Sequence, residues 1–201
     1  LVESRAYLSD SNFVIIMGEV FNDTGHWITD ASIDVTLFGA DGKPISVDSI
    51  AAAEGHGEGV VASRDVIPPG ESSPFKYIRD AVKLARPYAS HKLAAHGYEA
   101  SYHRTTRADS IRSTRDESLG YWAVSGTITN TSDRPCRFPE AVIGFYGADG
   151  KLFDVESAVP PGEEPKSLAP GVAWNFDRGA ALEDKTKAVT RIQVWGNCAH
   201  D

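Results

Sequence analysis

The 201-residue sequence lacks several features that define whole classes of protein, and each absence excludes something. No run of 18 apolar residues occurs, so no segment is suited to insert into a membrane as a helix. Basic residues number 20 against 28 acidic ones, and the net charge of −8 argues against general affinity for nucleic acid, because phosphate binding needs a basic face. The motif GxSxG is missing, and no cysteine stands beside a plausible catalytic base. We therefore expect a protein that is not an enzyme and needs no cofactor.

Cysteine is scarce too, and the only two lie in the second half, at Cys136 and Cys198. In an exported protein these thiols would close a loop of about 60 residues and stabilise the fold by roughly 3 to 4 kcal/mol. Two unpaired, buried thiols are the alternative, and the sequence leaves both open. The chain begins LVESRAYLSD, without an initiator Met or a charged and then apolar leader. A chain trimmed of a signal peptide or an anchor begins in this way, and so does a trimmed cytosolic fragment.

The sequence does contain an internal duplication, which is clearest in the segment GADGK that occurs twice. With a shift of 108, residues 18–49 align without a gap on residues 126–157. IPPGESSPF then aligns on LAPGVAWNF with a shift of 101, and YEASY at residues 98–102 is matched to RIQVW as the last strand. Because the order of these features is preserved, we predict two tandem domains, residues 1–106 and residues 107–201.

Each copy has the pattern of short β-strands separated by turns. ASIDVTLFG alternates apolar Ile33, Val35 and Leu37 with polar residues, which is the period of a half-buried strand. The ADG that follows supplies a hairpin turn, in which we expect Asp41 and Asp149 to shape the turn instead of binding a ligand. The turn formers PPGE and APG precede a further strand in each copy. The sequence therefore predicts an all-β fold of two tandem immunoglobulin-like antiparallel β-sandwich domains.

Two segments near the middle of the chain are harder to assign. DAVKLARPYASHKLAAH contains Ala, Leu and Lys that would support a short helix, but Pro87 interrupts it. We treat this stretch as a long connection before the last strand, and whether residues 81–96 form a short helix stays open. The polar segment RTTRADSIRSTRDE marks the domain boundary, and we favour a solvated strand face over an anionic partner for its charged residues, namely Arg104, Arg107, Asp109, Arg112 and Arg115.

A family resemblance is found in two tracts, VTLFGADGK and IGFYGADGK. Each tract follows a strand, which ends in GEVFNDT in the first copy and in GTITNTS in the second. Together with the later turn before an aromatic strand, they resemble the FxLYD domains of bacterial and archaeal envelope proteins, although Gly39 and Gly147 stand where that family often has Asp. The resemblance covers nearly the whole chain as two units. It implies an immunoglobulin-like sandwich without catalytic residues, located outside the cell or in the cell envelope. The implied function is a structural or protein-interaction module, whose partner is a protein or a glycan at the cell surface.

Among the four tryptophans, Trp27 stands apart because it follows NDTGH at a strand edge or in a loop. Together with His26 it is the candidate ligand contact, since an exposed aromatic ring there would stack on a sugar, and carbohydrate binding is therefore the alternative function. The structural alternative is that Trp27 covers the end of the core. Trp122 and Trp195 lie inside strand patterns, so we expect them in the core.

The histidines give no convincing metal site, and we predict none. EGHGEG sets His56 between Glu54 and Glu58, but no second pair of ligands is close in sequence. His91 and His96 are five residues apart, miss the spacing of a helical zinc pair, and are expected to be exposed.

Two formal glycosylation sequons, NDT at Asn22 and NTS at Asn130, occur at matching positions of the two copies. Matching positions favour a structural role, in which each Asn side chain caps its own turn. The sequence does not indicate the binding partner or the oligomeric state.

Overall fold

The computed structural model describes residues 2–45, 58–101, 103, 105–116, 118, 120–160, 167–182 and 188–199. Two sets of seven strands account for most of these residues. The first set comprises β1 (Val2–Leu8), β2 (Phe13–Phe21), β3 (Ile28–Phe38), β4 (Glu58–Val61), β5 (Val66–Ile67), β6 (Ser72–Asp80) and β7 (Ser90–Glu99). The second set comprises β8 (Thr106–Asp116), β9 (Tyr121–Asn130), β10 (Cys136–Tyr146), β11 (Leu152–Ala158), β12 (Ser167–Leu168), β13 (Ala173–Ala180) and β14 (Arg191–Ala199).

Each set of strands forms one three-stranded and one four-stranded antiparallel sheet. In the first set, sheet I has the order β1-β2-β6, while sheet II has β3 at its centre, with β4 and β5 on one side and β7 on the other. The second set repeats this arrangement: sheet III is centred on β10, between β14 and the pair β11 and β12, and sheet IV has the order β8-β9-β13. The predicted all-β fold of immunoglobulin-like sandwiches is therefore confirmed.

Each sandwich encloses its own hydrophobic core between its two sheets. As the alternation in β3 predicts, Ile33, Val35 and Leu37 are buried, and they belong to one cluster with Val14 and Phe75 of sheet I. Full burial of one such side chain stabilises a fold by about 1.5 to 3 kcal/mol, so these positions hold the two sheets together. The core of the second sandwich is built from Val124, Ile128, Ile143, Phe145, Phe153 and Phe176.

The duplicated GADGK segment forms the same tight turn after β3 and after β10. In the first copy the N–H of Gly42 donates to the carbonyl of Gly39 at 2.9 Å, and Gly42 has a φ of 72°, which glycine adopts without strain. Oδ1 of Asp41 accepts a hydrogen bond from the N–H of Lys43 at 3.1 Å, and Asp149 makes the same contact in the second copy. Both aspartates shape their turns, as predicted.

The last strand of the first domain differs from the prediction. β7 spans Ser90–Glu99 and so contains the end of the expected connection, residues 90–96, and a short 3-10 helix, Ala81–Lys83, precedes it. Leu93 of β7 lies opposite Val35 of β3, and β14 has the equivalent register on β10. The two last strands thus correspond through the shift of 101, and the match of YEASY with RIQVW was wrong. An edge strand buries few of its side chains, so β7 has little of the periodicity that identifies a strand.

The two sandwiches pack against each other through the outer faces of sheet I and sheet III. The outer face of sheet III carries a second buried cluster, which consists of Val142, Tyr146, Leu152 and Trp195. Trp195 is therefore buried as expected, but outside the core of its own sandwich. On sheet I, Ile15 and Met17 alternate with core residues and point away from the first core, yet both are buried. Met17 and Leu152 line one crevice, so these two faces adjoin.

Polar contacts also join the two halves of the chain. Nζ of Lys76 lies 2.8 Å from Oδ1 of Asp154, whose side chain is fully buried. The side-chain amide of Asn197 donates to the carbonyl of Ser63 at 3.1 Å and accepts from the N–H of Asp65 at 2.9 Å. These directional contacts, added to the apolar ones, hold the sandwiches in one relative arrangement.

Candidate functional site

The loop between β2 and β3, which carries both candidate ligand residues, is held in place by Asn22. The buried Asn22 donates from Nδ2 to the carbonyls of His26 (2.7 Å) and Ile67 (2.8 Å), and its Oδ1 accepts from the N–H of Thr24 (3.1 Å). Asn130 makes the same set of bonds in the second copy. Both amides are thus fully engaged inside the protein, which confirms the structural role predicted for the two sequons.

In the described part of the chain, His26 and Trp27 contact different partners. His26 is exposed, and its Nδ1 lies 3.5 Å from Oε1 of Glu99. Trp27 is half-buried and stacks on His103, with ring centroids 4.7 Å apart and 24° between the planes. The imidazole covers one face of the indole, so a sugar ring would have only the other face to stack on. Nothing in the sequence pattern linked His103 to Trp27.

An open groove lies beside this loop, between the end of β2 and β7 of the first sandwich. The groove has a volume of about 560 Å³. Its apolar lining includes Val20, Ile28, Ala31, Ile67, Ala95 and Gly97. Asp23, Thr24 and His96 add polar groups. A concave, mainly apolar surface with a few polar groups is the usual composition of a binding site, and we take this groove as the candidate site.

Two aromatic side chains are exposed at the groove. Phe21 is 43% exposed and Tyr98 is 72% exposed, and both contribute to its lining. The second copy has Thr129 and Ala199 at the corresponding positions. Exposed aromatic residues beside an apolar concavity are typical of surfaces that bind another protein. Sequence reasoning missed this site, although the alignment of Phe21 with Thr129 was a signal that could have found it.

His91 and His96 occupy different environments on β7. His96 is exposed, as expected, and its Nε2 lies 2.8 Å from Oδ2 of Asp34. His91 was expected to be exposed but is half-buried, between the hydroxyls of Ser4 (3.1 Å) and Tyr88 (2.9 Å). Burial lowers the pKa of the His91 imidazole. This side chain links β7 to β1 at the edge of the sandwich.

The histidine considered as a metal ligand, His56, and its neighbour Glu54 lie outside the described residues. Among the residues that are described, no three His, Cys, Asp or Glu side chains are grouped so as to hold a metal ion. The described part of the chain likewise has no helix with the length and hydropathy needed to cross a bilayer.

The basic strip at the domain boundary lies on β8, where most side chains are exposed. Nε of Arg107 lies 2.6 Å from Oδ2 of Asp109, and Arg112 is exposed, while Arg104 lies outside the described residues. This is the solvated strand face that we favoured. Trp122 of the neighbouring β9 is partly buried against the second core, as expected.

Cys136 and Cys198 form a disulfide that connects β10 to β14, with Cα atoms 5.2 Å apart. Of the two alternatives that the sequence left open, the bridge is the one found. The first domain has Ile28 and Gly97 at the corresponding positions, and both of these residues line the groove. The two copies therefore differ at this end of the sandwich, where the second has a disulfide and the first has a groove.

Comparison with known proteins identifies no relative. No protein-family model matches the chain, and no curated protein matches it. Among solved structures, a calcium-binding mutant of Bacteroides uniformis beta-glucuronidase 2 matches with 11% identity and a TM-score of 0.29, over 89% of this chain and 23% of that chain. The same enzyme covalently bound to cyclophellitol-6-carboxylate aziridine matches with 12% identity and a TM-score of 0.24, over 88% of this chain and 22% of that chain. The chain thus spans under a quarter of those proteins, and resemblance at this level carries no information on activity.

Proposed function

We propose that this chain is a non-catalytic protein-interaction module of an exported or surface-anchored prokaryotic protein, and that the groove of the first domain is its contact surface. The observation that supports this proposal is the open apolar groove with Phe21 and Tyr98 exposed beside it. Covering such a surface with a partner removes apolar area from water, which is the main driving force of protein association. The resemblance to FxLYD domains and the envelope location agree with this role and stay predictions.

Among the described residues, the arrangement that bears on a catalytic role is the hydrogen bond between Oγ of Ser4 and Nε2 of His91. A serine nucleophile needs a histidine base whose second nitrogen is oriented by a carboxylate, or by a group of similar effect. Here Nδ1 of His91 faces the Tyr88 hydroxyl at 2.9 Å instead. The trio joins β7 to β1 and lies apart from the groove, so we assign it to holding the sandwich edge and keep the prediction that the protein is not an enzyme.

The proposal is tested by blocking the groove. Ala95 lines the groove, whereas its neighbour Ala94 pairs with Asp34 and points to the opposite face of β7. Immobilised wild-type protein and the Ala94→Arg variant should retain the same proteins from an envelope extract, while Ala95→Arg should lose them. Retention of one set of proteins by all three would show that the groove is not the contact surface.

Carbohydrate binding through Trp27 is the alternative function and stays a prediction. A glycan array probed with wild-type protein and with Trp27→Ala separates it from protein binding. Glycan binding that disappears in Trp27→Ala and persists in Ala95→Arg would favour the alternative over our proposal.

A further inference from the structure

We propose that a cleft between the two sandwiches is a second binding site, which takes the ammonium group of a primary alkylamine. The cleft has a volume of about 320 Å³, and it is lined by Val61, Ser63 and Lys76 of the first sandwich and by residues of β10 and β11 of the second. Among the residues described, it shares no lining residue with the groove of the first domain, so this inference goes beyond the proposed function. Junctions between domains are frequent positions of small-molecule sites.

The register of sheet III places four lining residues on one face of that sheet. Val142 of β10 lies opposite Ser157 of β11. Because side chains alternate along a strand, Glu140 and Val155 point to the same side as this pair. Val142 also belongs to the buried cluster at the interface of the two sandwiches. The cleft is therefore the margin of that interface, where the outer face of sheet III emerges from under the first sandwich.

The first sandwich supplies the opposite wall of the cleft. Val61 is 68% exposed and, together with Val142 and Val155, offers an apolar surface on which an alkyl chain can pack. The carbonyl of Ser63 accepts a hydrogen bond from the side-chain amide of Asn197 at 3.1 Å, which ties this wall to the second sandwich. The two walls are thus joined before any ligand binds, and a site formed in advance loses little free energy to ordering on binding.

The charged side chains of the cleft leave one carboxylate without a basic partner. Lys76 is paired with Asp154, and Glu156 is paired with Arg178, each at 2.8 Å. Glu140 is half-buried and accepts a hydrogen bond from a neutral side-chain amide at 3.2 Å. In the part of the chain that the structure describes, no basic side chain is paired with this carboxylate. The described lining therefore has one uncompensated negative charge, which is complementary to one cation.

The geometry at Glu140 favours an ammonium over a guanidinium. Its Oε2 is already engaged by the amide, so the carboxylate cannot make the two parallel hydrogen bonds that a guanidinium prefers. A compact ammonium bonds to the other oxygen, and its remaining N–H groups can donate to the hydroxyls of Ser63 and Ser157, which line the same cleft. The valines then contact the alkyl chain, whereas a ligand that carries a carboxylate or a phosphate is repelled by Glu140.

A titration with n-butylamine tests this inference. The amine is added to the 15N-labelled protein at neutral pH, where an alkylamine is charged, and the readout is the chemical shift of the backbone N–H groups of Ser63 and Ser157. These two groups lie on opposite walls of the cleft, so a ligand bound between them should shift both signals to saturation. Butan-1-ol and butanoate have the same alkyl chain without the positive charge, and they should cause no saturable shift.

Three protein variants complete the test. Glu140→Gln should weaken the binding of n-butylamine by about tenfold or more, because a hydrogen bond to a charged group becomes one to a neutral group. The matched control Glu99→Gln removes the same charge from an exposed position outside the cleft and should leave the dissociation constant unchanged. Val61→Arg, at a position exposed enough to tolerate it, supplies a competing cation from the protein itself and should abolish binding. The inference is overturned if the wild type gives no saturable shift, or if Glu140→Gln and Val61→Arg both bind the amine as the wild type does.

A second ligand identifies the source of the ammonium group. N-acetyl-lysine methylamide presents the same group on a peptide backbone. If it binds more tightly than n-butylamine, the cleft receives a lysine side chain of a partner protein, and equal or weaker binding assigns the cleft to a free alkylamine. Ala95→Arg, which blocks the groove, should leave the binding of both ligands unchanged, because the two sites have different linings.

Discussion

Asp30 and Phe138 occupy equivalent positions in the two copies and share a left-handed backbone, with φ values of 50° and 45°. Each lies where the pairing of the central strand with the last strand changes register, between Thr29 and Ser32 in the first sandwich and between Arg137 and Pro139 in the second. The conformation is therefore a requirement of the fold and not of one side chain. Aspartate tolerates it because its short polar side chain bonds locally, whereas most other L-residues incur a cost of roughly 1 to 2 kcal/mol.

Replacing Phe138 by asparagine should stabilise the protein. Phe138 is 50% exposed, so the substitution gives up about half of one side chain's burial, roughly 1 kcal/mol, and relieves most of a backbone cost of about 1 to 2 kcal/mol. We expect Phe138→Asn to raise the free energy of unfolding by up to about 1 kcal/mol, measured by urea denaturation. The control Asp30→Asn should leave the urea midpoint almost unchanged. A lower midpoint for Phe138→Asn would show that the exposed ring contributes more than the backbone cost.

Single residues also show where sequence reasoning succeeds and where it stops. The roles of Asn22 and Asp41 were predictable, because each acts within a few residues of its own position through its short polar side chain. The burial of His91 was not predictable, because it depends on Ser4 across the sandwich edge. The stacking of Trp27 on His103 has the same origin, since the contact joins residues far apart in sequence.

At the scale of elements, the disulfide crosslinks the paired strands β10 and β14. Cys136 and Cys198 are separated by 62 residues, and a crosslink of that span stabilises a fold by about 4 kcal/mol in the chain-entropy model. The variant with both cysteines changed to alanine should lose about that much unfolding free energy in urea. A thiol assay on the unfolded, unreduced protein should find no reactive thiol, and two reactive thiols would contradict the bridge.

The contact of His91 between β7 and β1 makes stability depend on pH. Because burial lowers the pKa of His91, the unfolded chain binds its proton more readily than the folded one. The free energy of unfolding should therefore fall as the pH decreases through the ordinary histidine range, near about 6.5. Thermal unfolding followed between about pH 8 and pH 5 should show a smaller decline for His91→Gln than for the wild type. An unchanged decline would assign the effect to other groups.

Some strands of this fold can be identified from their sequence and others cannot. β3 has one buried face, so its alternation identified it correctly. β7 is an edge strand with most side chains exposed, and its sequence SHKLAAHGYE lacks β-branched residues, so most of it was taken for a connection. The groove beside it was missed for a related reason, because a gap between strands of two different sheets leaves no periodic pattern.

At the scale of the whole molecule, the interface between the sandwiches includes a buried charge. Replacing Lys76 by methionine leaves Asp154 buried without that cation, and removing one member of a buried ion pair costs about 3 to 5 kcal/mol. Urea denaturation should show this loss for Lys76→Met. The double variant Lys76→Met with Asp154→Leu should recover most of it, because the buried carboxylate that Lys76 neutralises is then removed as well. A single variant as stable as the wild type would show that the pair does not hold the interface.

The sequence of β10 indicated that the two sandwiches pack against each other. In AVIGFY of β10 the apolar residues do not alternate with polar ones, and both faces of this strand are buried. One face belongs to the core of its own sandwich and the other to the cluster that contains Val142 and Tyr146. Burial and the carboxylate of Glu19, from the first half of the chain, raise the pKa of Tyr146. A strand apolar on both faces therefore indicated the interface, although not the surface that covers it.

The bridge between Cys136 and Cys198 has a mechanical consequence. When the protein is stretched from its two ends, the bridge prevents the 62 residues between the cysteines from extending. At about 3.3 to 3.6 Å per residue, this removes roughly 200 Å from the maximum length of the unfolded chain. The first domain has no cysteine, so it can extend to its full contour length when it unfolds under force. A tandem of two similar folds thus behaves as one extensible and one nearly inextensible link, and a tether built from it would lengthen mainly on the N-terminal side.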